Sequence, residues 1–436
     1  MLATVSSSPH FVAPAVLAVS DTNPSLTERL AKHLCRPVPK NVQDRARLHL
    51  LDWLGCVAGA RRSDVAAVVR AAEPDVLTRA AFLGNVLEMD DVHRAAILHP
   101  GPVVWPAALS AAREAEAPFA AMLDGGVRGY EAVIAIGCTL DARHYALWHN
   151  SSTAGGFGSA AAAGSIFGLD TGSLVAAFGN IGSIAGGLWH MRHAPVMTKQ
   201  LHVAQAAASG LWIARLARHG FTGSRGILEG AQGFYTAMTE RPDPLALDEG
   251  WRLHQVSFKP WAACRHSHPA IDAALELKAR GALHGPVSLE TYADAIAFCD
   301  RPEPRTVIEA KFSLQHSIAV VALRGEPRPE DYEPDAIADP ELAAFRAAVQ
   351  VAEAPDITAR YPAHFGARLT AGGETVELAD TRGDPERPLP VEGVLNKARS
   401  LIVWGGLPER EADRAIALAL EGDSVADIVV MLEDWT

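Results

Sequence analysis

The sequence has 436 residues, of which 49% are hydrophobic and 21% charged, and its formal net charge at pH 7 is −12. At roughly 150 residues per domain, this length allows two or three domains with a large buried core. The negative charge disfavours general binding to nucleic acid or to acidic membranes. Since no apolar run approaches the ~18 residues of a membrane span, we expect a soluble globular protein with no membrane partner.

The cysteines and the N-terminal residues bear on the cellular compartment. The five cysteines are scattered and none follows the CxxC spacing. This pattern disfavours a disulfide framework or a thiolate metal cluster and favours a reducing environment. Residues 1–19 are mildly apolar but carry no Lys or Arg before their apolar part, so they are unlike a secretory signal. We therefore expect a cytoplasmic protein.

The predicted elements begin with an irregular arm at residues 1–24 and continue into a long helical region. Ser25 and Glu28 fit a capping box at the start of the first helix. From there to about residue 250, Ala-rich segments with breaks at Gly or Pro predict further helices. These helices span residues 45–60, 102–116, 159–168, 202–218 and 226–238. Their Ala and Gly content indicates close packing, because small side chains let helix axes approach each other.

Beyond residue 256 the pattern changes from helical to mixed. Residues 288–298 alternate as a strand does, residues 367–378 are typical of a β-hairpin with a glycine turn, and amphipathic helix returns from residue 396. We predict a mainly α protein with a large all-helical domain and an inserted smaller α+β lid domain. The helical domain comprises residues 25–256 and 393–436, and the lid comprises residues 257–392. The cleft between two such domains is a common place for a small-molecule site.

Histidine carries the strongest functional signal, since 11 of the 17 histidines lie between positions 93 and 268. The first informative segment, residues 89–101, combines Asp90, Asp91 and His99 and ends in a Pro-Gly pair. We expect His99 on a loop that faces a cavity, with one of the two aspartates orienting its ring or keeping it protonated. The alternative is a loop of solvated charges.

Two further segments join titratable side chains to the start of a helix. Residues 149–158 run from His149 through several glycines into an Ala-rich helix, whose free N–H groups suit a carboxylate or phosphate. The likeness of these glycines to a dinucleotide fingerprint is weak, since no strand precedes them, and tight helix packing explains them equally well. Residues 189–202 are the most cationic segment next to apolar helices and contain Lys199 and His202. The alternative there is a basic surface loop.

The fourth segment, residues 259–269, lies at the predicted domain boundary and contains Arg265, His266 and His268. If this segment is extended, the two histidines point to one side and Arg265 to the other. An arginine can hold a carboxylate with two parallel hydrogen bonds, although a polar linker between domains is the alternative. The sequence has neither an HExxH motif nor a GxSxG motif, which disfavours a catalytic metal and a serine hydrolase.

Together these segments resemble the MmgE/PrpD family of 2-methylcitrate dehydratase and cis-aconitate decarboxylase. The resemblance rests on residues 90–94, 98–101, 156–163, 197–202, 259–268, 310–315 and 383–389, which occur in the family's order. It implies a large helical domain with an α+β lid, a homodimer, and cofactor-free chemistry on small polycarboxylates. It also implies an active site between the two domains.

The resemblance also implies which residues form the site. The positions that fall on the family's site residues are Asp90, His99, His149, Lys199 and His268, with Arg265 beside them. His316 falls where family members can carry a tyrosine. Val92 stands where a threonine is frequent, and Ala96 where a serine is frequent. The loss of two hydroxyls near His99 argues against the usual tricarboxylate substrate.

We predict a cofactor-independent lyase, similar to 2-methylcitrate dehydratase, that dehydrates a small hydroxy di- or tricarboxylic acid. His99 and His149 are the candidates for proton transfer, and Asp90 would set the state of one imidazole. Lys199, Arg265 and a protonated histidine would stabilise the charge that develops on the carboxylate beside the reacting carbon.

His268 is a further predicted catalytic residue. The predicted substrate-binding residues are Arg265, His266, His316 and His202. The same groups permit decarboxylation of the cis-aconitate type or epimerisation of a substituted dicarboxylate. A metal-dependent enzyme and a non-catalytic carboxylate-binding protein are the remaining alternatives, and we predict neither a metal site nor a cofactor.

Overall fold

The structure is a computed structural model that describes residues 23–73, 75–194 and 196–436. Across these ranges the chain is mainly α-helical and has one small four-stranded sheet. The predicted fold class, mainly α with a smaller α+β part, is confirmed. The arm predicted for residues 1–24 lies outside the described residues except for positions 23 and 24. No helix in the described ranges has both the length and the apolar character needed to cross a bilayer.

The helices that precede the sheet pack against one another in a single body. They are α1 (Leu26–Leu34), α2 (Lys40–Ala60), α3 (Asp64–Ala72), α4 (Val76–Leu83), α5 (Gly101–Glu114), α6 (Phe119–Gly137), α7 (Ala142–Leu147), α8 (Asn150–Thr153), α9 (Gly155–Ile166), α10 (Thr171–Ser183), α11 (Thr198–Arg218) and α12 (Phe234–Met238). Ser25 caps α1 through the predicted capping box, because its side chain accepts from the Glu28 N–H and the Glu28 carboxylate accepts from the Ser25 N–H.

The elements of the α+β part follow along the chain, and three helices then complete the C-terminal region. The α+β part contains α13 (His268–Ala279), β1 (Val287–Thr291), α14 (Ala293–Cys299), α15 (Val307–Lys311), α16 (Leu314–Arg324), α17 (Pro334–Ala338), α18 (Pro340–Ala347), β2 (Val349–Glu353), α19 (Pro355–Thr358), β3 (Ala367–Ala371) and β4 (Glu374–Leu378). The last helices are α20 (Val391–Trp404), α21 (Glu409–Leu420) and α22 (Val425–Trp435).

Glycine lets the central helices approach each other closely. Helix α9 packs against α5, α6 and α11. A Cβ on Gly158 of α9 would lie 2.7 Å from the Val133 Cβ of α6, and a Cβ on Gly210 of α11 would lie 2.4 Å from the Ser159 Cβ of α9. Because a real Cβ does not approach another carbon so closely, only glycine fits at either position. The close helix packing predicted from the Ala and Gly content is confirmed.

The sheet has the strand order β2-β1-β3-β4, in which β1 runs parallel to β2 and antiparallel to β3. Leu289 pairs with Leu369, and Leu369 pairs with Val376, so the buried apolar side chains share one face. Helix α13 packs on β3 and β4, and α16 packs on α13 and β2. Gly372 and Gly373 join β3 to β4 with φ of +57° and +81°, the left-handed backbone that a tight hairpin turn requires. The predicted hairpin is therefore confirmed.

The strand predicted over residues 288–298 is wrong in its second half. The strand β1 ends at Thr291, and the chain then turns into α14. The segment 293–299 buries Ala295 and Cys299, which lie four residues apart on one face of a helix. The alternation of apolar residues therefore changes to a helical spacing within the predicted strand.

All five helices predicted before residue 250 begin at other residues in the structure. The helix predicted over residues 226–238 is reduced to α12, because turns occupy the glycine-rich residues 226–233. The helix predicted from residue 202 begins at Thr198, which places Lys199 in the first turn of α11.

The predicted domain limits at residues 256/257 and 392/393 stay a prediction, and the helix contacts support them. Helices α20 and α21 pack on α2, while α22 packs on α4 and α5. The C-terminal helices therefore join the same body as the first helices. Backbone hydrogen bonds between Val92 and Ser257 join that body to the start of the α+β part.

Candidate active site

A cavity of about 420 Å³ lies where the helical body meets the α+β part. One side of its wall comes from residues 88–99, from the 3₁₀ turn Trp189–His193 and from the start of α11. The other side comes from residues 264–266 and 297–312. The predicted site residues that line it are His99, His149, Lys199, Arg265 and His266. Packing of the two parts thus brings together side chains that are far apart in the sequence.

His99 is bound to a buried carboxylate through one ring nitrogen. Its Nδ1 lies 2.9 Å from Asp90 Oδ2 and 3.0 Å from the backbone oxygen of Asp91. Because both neighbours are hydrogen-bond acceptors, Nδ1 carries the proton of the neutral ring and Nε2 holds the lone pair. Burial alone would raise the pKa of Asp90, but its pairing with His99 and the charges of two lysines outweigh burial and hold that pKa below its usual value. His99 is therefore arranged as a proton acceptor beside an ionised Asp90.

Asp91 has different partners from Asp90. Its carboxylate lies 2.7 Å from His49 Nδ1 and accepts hydrogen bonds from the Tyr130 hydroxyl at 2.6 Å and the Gly101 N–H at 2.9 Å. Burial raises the pKa of Asp91 to about 6. This side chain anchors the first residue of α5, directly after the loop that carries His99.

His149 is a buried ring with one unpaired nitrogen. Burial lowers the pKa of His149 well below its usual value, and the positive charge of Lys199 lowers it further. The ring centroid lies 4.6 Å from that of Trp189 and 5.6 Å from that of His202. Its Nδ1 has no hydrogen-bond partner in the described part of the chain. Since an unpaired buried polar atom is costly, this nitrogen makes His149 a candidate to bind a ligand in the cavity that the residue lines.

Lys199 forms an ion pair that the sequence analysis missed. Its Nζ donates to Glu88, a residue that is 3% exposed, and Lys259 Nζ lies 3.8 Å from the other oxygen of that carboxylate. Burial would lower the pKa of Lys199, but Glu88 and Asp90 outweigh burial and hold it above its usual value. Lys199 therefore stays an ammonium at the cavity. Glu88 lies just before the first informative segment and Lys259 opens the fourth, but neither was given a role.

Two further buried lysines, Lys259 and Lys311, lie near Glu88 without lining the cavity themselves. Burial lowers the pKa of Lys311 to about 8, although the negative charge of Glu88 acts to raise it. Burial also lowers the pKa of Lys259, whose Nζ has no hydrogen-bond partner in the described ranges. The lysines therefore outnumber Glu88 and Asp90, which suits an anionic ligand. No three His, Cys, Asp or Glu side chains of the described residues are arranged to hold a metal ion.

The backbone that carries these groups is strained at two positions. Glu88 and Ile97 have φ of +58° and +50°, a conformation that is rare outside glycine and especially unfavourable for a β-branched residue. Such strain persists only where the surrounding structure holds it, and it is concentrated at functional sites. Lys397 Nζ holds this segment by donating to the Met89 carbonyl at 2.5 Å.

Arg265 and His266 reach the cavity from the 3₁₀ turn Arg265–Ser267. The extended arrangement considered for residues 259–269 is therefore not formed, and α13 begins directly after this turn. Arg265 donates to the carboxylate of Asp384, so part of its guanidinium is already bound. His266 Nδ1 lies 2.7 Å from the Tyr292 hydroxyl, and burial lowers the pKa of His266 to about 3.

The other predicted site residues do not line this cavity. His268 is 0% exposed, with Nε2 3.1 Å from the Ala263 carbonyl and Nδ1 3.4 Å from Arg265 Nη1. His316 lies within the α+β part, where its Nε2 is 2.7 Å from the Asp331 carbonyl. His202 lines a separate groove beside the cavity. Their catalytic and binding roles stay predictions, and for His268 the contacts favour support of Arg265.

A His–Asp pair, a second buried imidazole and a lysine ammonium at one cavity are the kinds of group that acid–base chemistry requires. The MmgE/PrpD N-terminal domain matches residues 76–246, and the MmgE/PrpD C-terminal domain matches residues 261–422. The chain belongs to the MmgE/PrpD family. The resemblance found in the sequence is confirmed, as is the prediction of an enzyme of the lyase class.

The curated relatives are named as decarboxylases. Cis-aconitate decarboxylase of Aspergillus terreus is 24% identical over an alignment 477 residues long. The alignment covers 91% of this chain and 92% of that protein. Cis-aconitate decarboxylase of Homo sapiens is 26% identical, over 58% of this chain and 56% of that protein. The cis-aconitate decarboxylase-like protein oryM of Aspergillus oryzae is also 26% identical, over 55% of this chain and 58% of that protein. The chain thus spans only about half the length of the human and oryM relatives.

Proposed function

We propose that this protein is a lyase that acts on a small polycarboxylic acid in the cavity between the helical body and the α+β part. The observation that carries the proposal is the meeting of His99, His149 and Lys199 at one cavity, with Asp90 bound to His99. Chemistry at a carbon beside a carboxylate needs a group that moves the proton and a fixed cation for the charge that develops. The residues at the cavity supply both.

In the proposed mechanism, His99 Nε2 exchanges a proton with the substrate carbon. The ionised Asp90 stabilises the imidazolium that forms, as the carboxylate of a His–Asp pair does. Lys199 stabilises the negative charge as the electron pair moves into the substrate's carboxylate. His149, which is neutral and has an unpaired Nδ1, binds an oxygen or a hydroxyl of the substrate.

Decarboxylation of an unsaturated acid is the reaction that the relatives favour, since they are named cis-aconitate decarboxylases. In that reaction the bond to the departing carboxyl group breaks, carbon dioxide leaves, and the electron pair stays on the substrate. The protonated form of His99 then delivers a proton to the carbon that holds the pair. The reaction consumes one proton, which His99 takes up from solvent before each turnover, so atoms and charge balance.

Dehydration of a hydroxy acid is the second candidate. The presence of the His99 imidazole and the Lys199 ammonium at one cavity favours it. His99 would take the proton from the carbon beside the carboxylate, while Lys199 would protonate the departing hydroxyl. Removal and return of the proton without loss of water would make the same site an epimerase.

The test is incubation of the purified protein with cis-aconitate, 2-methylcitrate and citrate, with and without a chelator. Release of carbon dioxide from cis-aconitate identifies a decarboxylase. An unsaturated product formed from citrate or 2-methylcitrate without release of carbon dioxide identifies a dehydratase. Deuterium exchange alone identifies an epimerase. We expect turnover that survives the chelator and is lost in His99→Asn. The control is His219→Gln, an exposed histidine, which should keep full activity. Failure of all three acids to react or exchange would count against the proposal.

The family resemblance supports a homodimer, the scattered cysteines support a cytoplasmic location, and we propose both. Light scattering at several protein concentrations measures the mass of the assembly. A monomer at every concentration would exclude the dimer.

A further inference from the structure

Much of the cavity wall is aromatic and apolar. The rings that line it belong to Tyr145, Trp189, Phe298, Phe312 and Phe365. Phe298 is central, because its ring stacks on Tyr145 at 5.6 Å and meets Trp189 edge-on at 6.3 Å. Ile97, Met191 and Ile308 extend the same wall. A ligand of polar groups alone would leave this surface without a partner.

The size of the cavity also exceeds the need of a compact acid. Its volume of about 420 Å³ lies within the range of roughly 300–1,000 Å³ found for pockets that enclose larger organic ligands. His99, Lys199 and Glu88 line this space together with the aromatic side chains. Room therefore remains for a substituent beside the aromatic wall.

The two sequence departures near His99 have different consequences. Val92 lines the cavity and places methyl groups where a hydroxyl is frequent in the resembling family. Ala96 is 0% exposed, and a Cβ added to Gly137 would lie 2.9 Å from the Ala96 Cβ. Ala96 therefore belongs to the packed core. Only the change at Val92 alters the surface that a substrate meets, and it makes that surface more apolar.

Two arginines adjoin the aromatic wall without carboxylate partners. The Arg192 guanidinium lies over the Phe298 ring at 5.1 Å, and Arg301 Nε donates to the Phe298 carbonyl at 3.4 Å. Both line the cavity, and within the described ranges neither guanidinium is found in an ion pair with an acidic side chain. By contrast, Lys199 and Arg265 are already paired with acidic side chains. The free cationic capacity of the cavity therefore lies beside the apolar wall.

We propose, resting on the lyase function above, that the substrate is a dicarboxylate with a flat apolar substituent. One carboxylate binds at Lys199 beside His99, and the substituent lies against Trp189 and Phe298. The second carboxylate is held by Arg192 and Arg301, since guanidinium groups bind carboxylates with parallel hydrogen bonds.

Calorimetric binding of three ligands to the whole protein tests each part of this assignment. Phenylsuccinate carries both features, succinate lacks the ring, and 3-phenylpropanoate lacks one carboxylate. We expect phenylsuccinate to bind about tenfold or more tightly than either of the others, as one added charge-assisted contact or one buried ring allows. Tighter binding by succinate or 3-phenylpropanoate, or no binding by phenylsuccinate, would overturn the inference.

Variants locate the contacts. Arg301→Gln should weaken phenylsuccinate about tenfold and leave 3-phenylpropanoate unchanged. The matched control is Arg305→Gln, an exposed arginine of the same loop that does not line the cavity, and it should change neither. Trp189→Ala should remove most of the advantage of phenylsuccinate over succinate. Equal effects of Arg301→Gln and Arg305→Gln would contradict the role of Arg301.

The outcomes for this inference and for the lyase function are separate. Turnover of citrate or 2-methylcitrate with no preference for phenylsuccinate would overturn the substrate class and leave the lyase. The expected binding pattern in a protein that releases no product and exchanges no proton would overturn the lyase alone.

Discussion

At the scale of single residues, burial and neighbouring charges assign different tasks to chemically similar groups. Asp90 and Asp91 are adjacent in the chain, yet charges near Asp90 lower its pKa, whereas burial raises the pKa of Asp91 to about 6. His99 has a carboxylate partner at Nδ1, whereas His149 has an unpaired Nδ1. The site therefore depends on which buried groups are paired.

Asp90→Asn should lower kcat by roughly 10²–10⁴-fold with a small change in KM, because the amide cannot stabilise an imidazolium at His99. The amide is similar in size, but the loss of a buried carboxylate whose pKa is lowered in the fold should also lower the melting temperature, so kcat is measured well below the unfolding transition. Steady-state kinetics with whichever acid is turned over measures the effect. Asp44→Asn, an exposed surface change, is the control. An unchanged kcat in Asp90→Asn would contradict the proton-transfer role of His99.

Lys199→Met should lower the free energy of unfolding by about 3 kcal/mol, because it removes the ammonium that Glu88 binds in a buried site. The more distant Lys259 offers only partial compensation. The double variant Lys199→Met with Glu88→Gln should recover most of the stability and none of the activity. Urea unfolding and kinetics on both variants separate the two effects. A double variant no more stable than Lys199→Met would contradict this pairing.

At the scale of elements, a C-terminal helix holds the segment that carries the site. Lys397 of α20 donates to the Met89 carbonyl at 2.5 Å and lies 2.6 Å from Asp52 Oδ1 of α2. Both contacts are buried. The strained residues Glu88 and Ile97 flank the same segment. Helix α20 therefore positions the loop between them from the far end of the chain.

Lys397→Met should destabilise the protein more at high pH than at low pH. Burial raises the pKa of Asp52 to about 7 even with Lys397 beside it, so loss of the ammonium raises that pKa further. A carboxyl whose folded pKa lies above its unfolded value stabilises the fold at low pH, and this contribution is lost as pH rises through the folded pKa. Urea unfolding at about pH 5 and about pH 8 should show the larger deficit at about pH 8.

The control for that prediction is the double variant Lys397→Met with Asp52→Asn, whose deficit should not depend on pH over this range. The Lys397→Met variant should also lose kcat, since the Met89 carbonyl loses its partner. A deficit that is equal at both pH values would show that Asp52 does not titrate as proposed.

At the scale of the whole molecule, the buried neutral histidines make the fold sensitive to acid. Burial lowers the pKa of His93, His144 and His316 to about 4, and that of His266 to about 3. The unfolded chain takes up protons on these rings near pH 6.5, whereas the folded chain resists protonation. Their stabilisation is fully present above about pH 6.5 and is lost as pH falls through the folded pKa.

The free energy of unfolding should therefore fall steeply as pH is lowered from about 6.5 towards 4. The raised pKa values of Asp52 and Asp91 act in the opposite direction but involve fewer groups. Urea midpoints across this range measure the slope. The slope of the free energy of unfolding against pH gives the number of protons taken up on unfolding. In His144→Gln that number should fall by about one, whereas His219→Gln, at an exposed position, should leave it unchanged. A flat profile would contradict the prediction.

Local pattern was enough for features that depend on chain neighbours. The capping box at Ser25 and Glu28 and the hairpin turn at Gly372 require only a few adjacent residues, and both occur as predicted. The mainly α fold class followed from periodicity and composition in the same way. The strand over residues 288–298 was overextended because short apolar alternation does not show where a strand gives way to a helix.

Motif order in the sequence by itself determined the family, and it singled out His99, His149 and Lys199. Only the tertiary structure decided that the Asp90 carboxylate meets the ring of His99 and not that of His149, and that Lys199 pairs with Glu88 across 111 positions of the chain. The physical reason is that ion pairs, burial and cavity walls depend on distances in space. Those distances arise when the helical body and the α+β part pack together, and no stretch of neighbouring residues contains them.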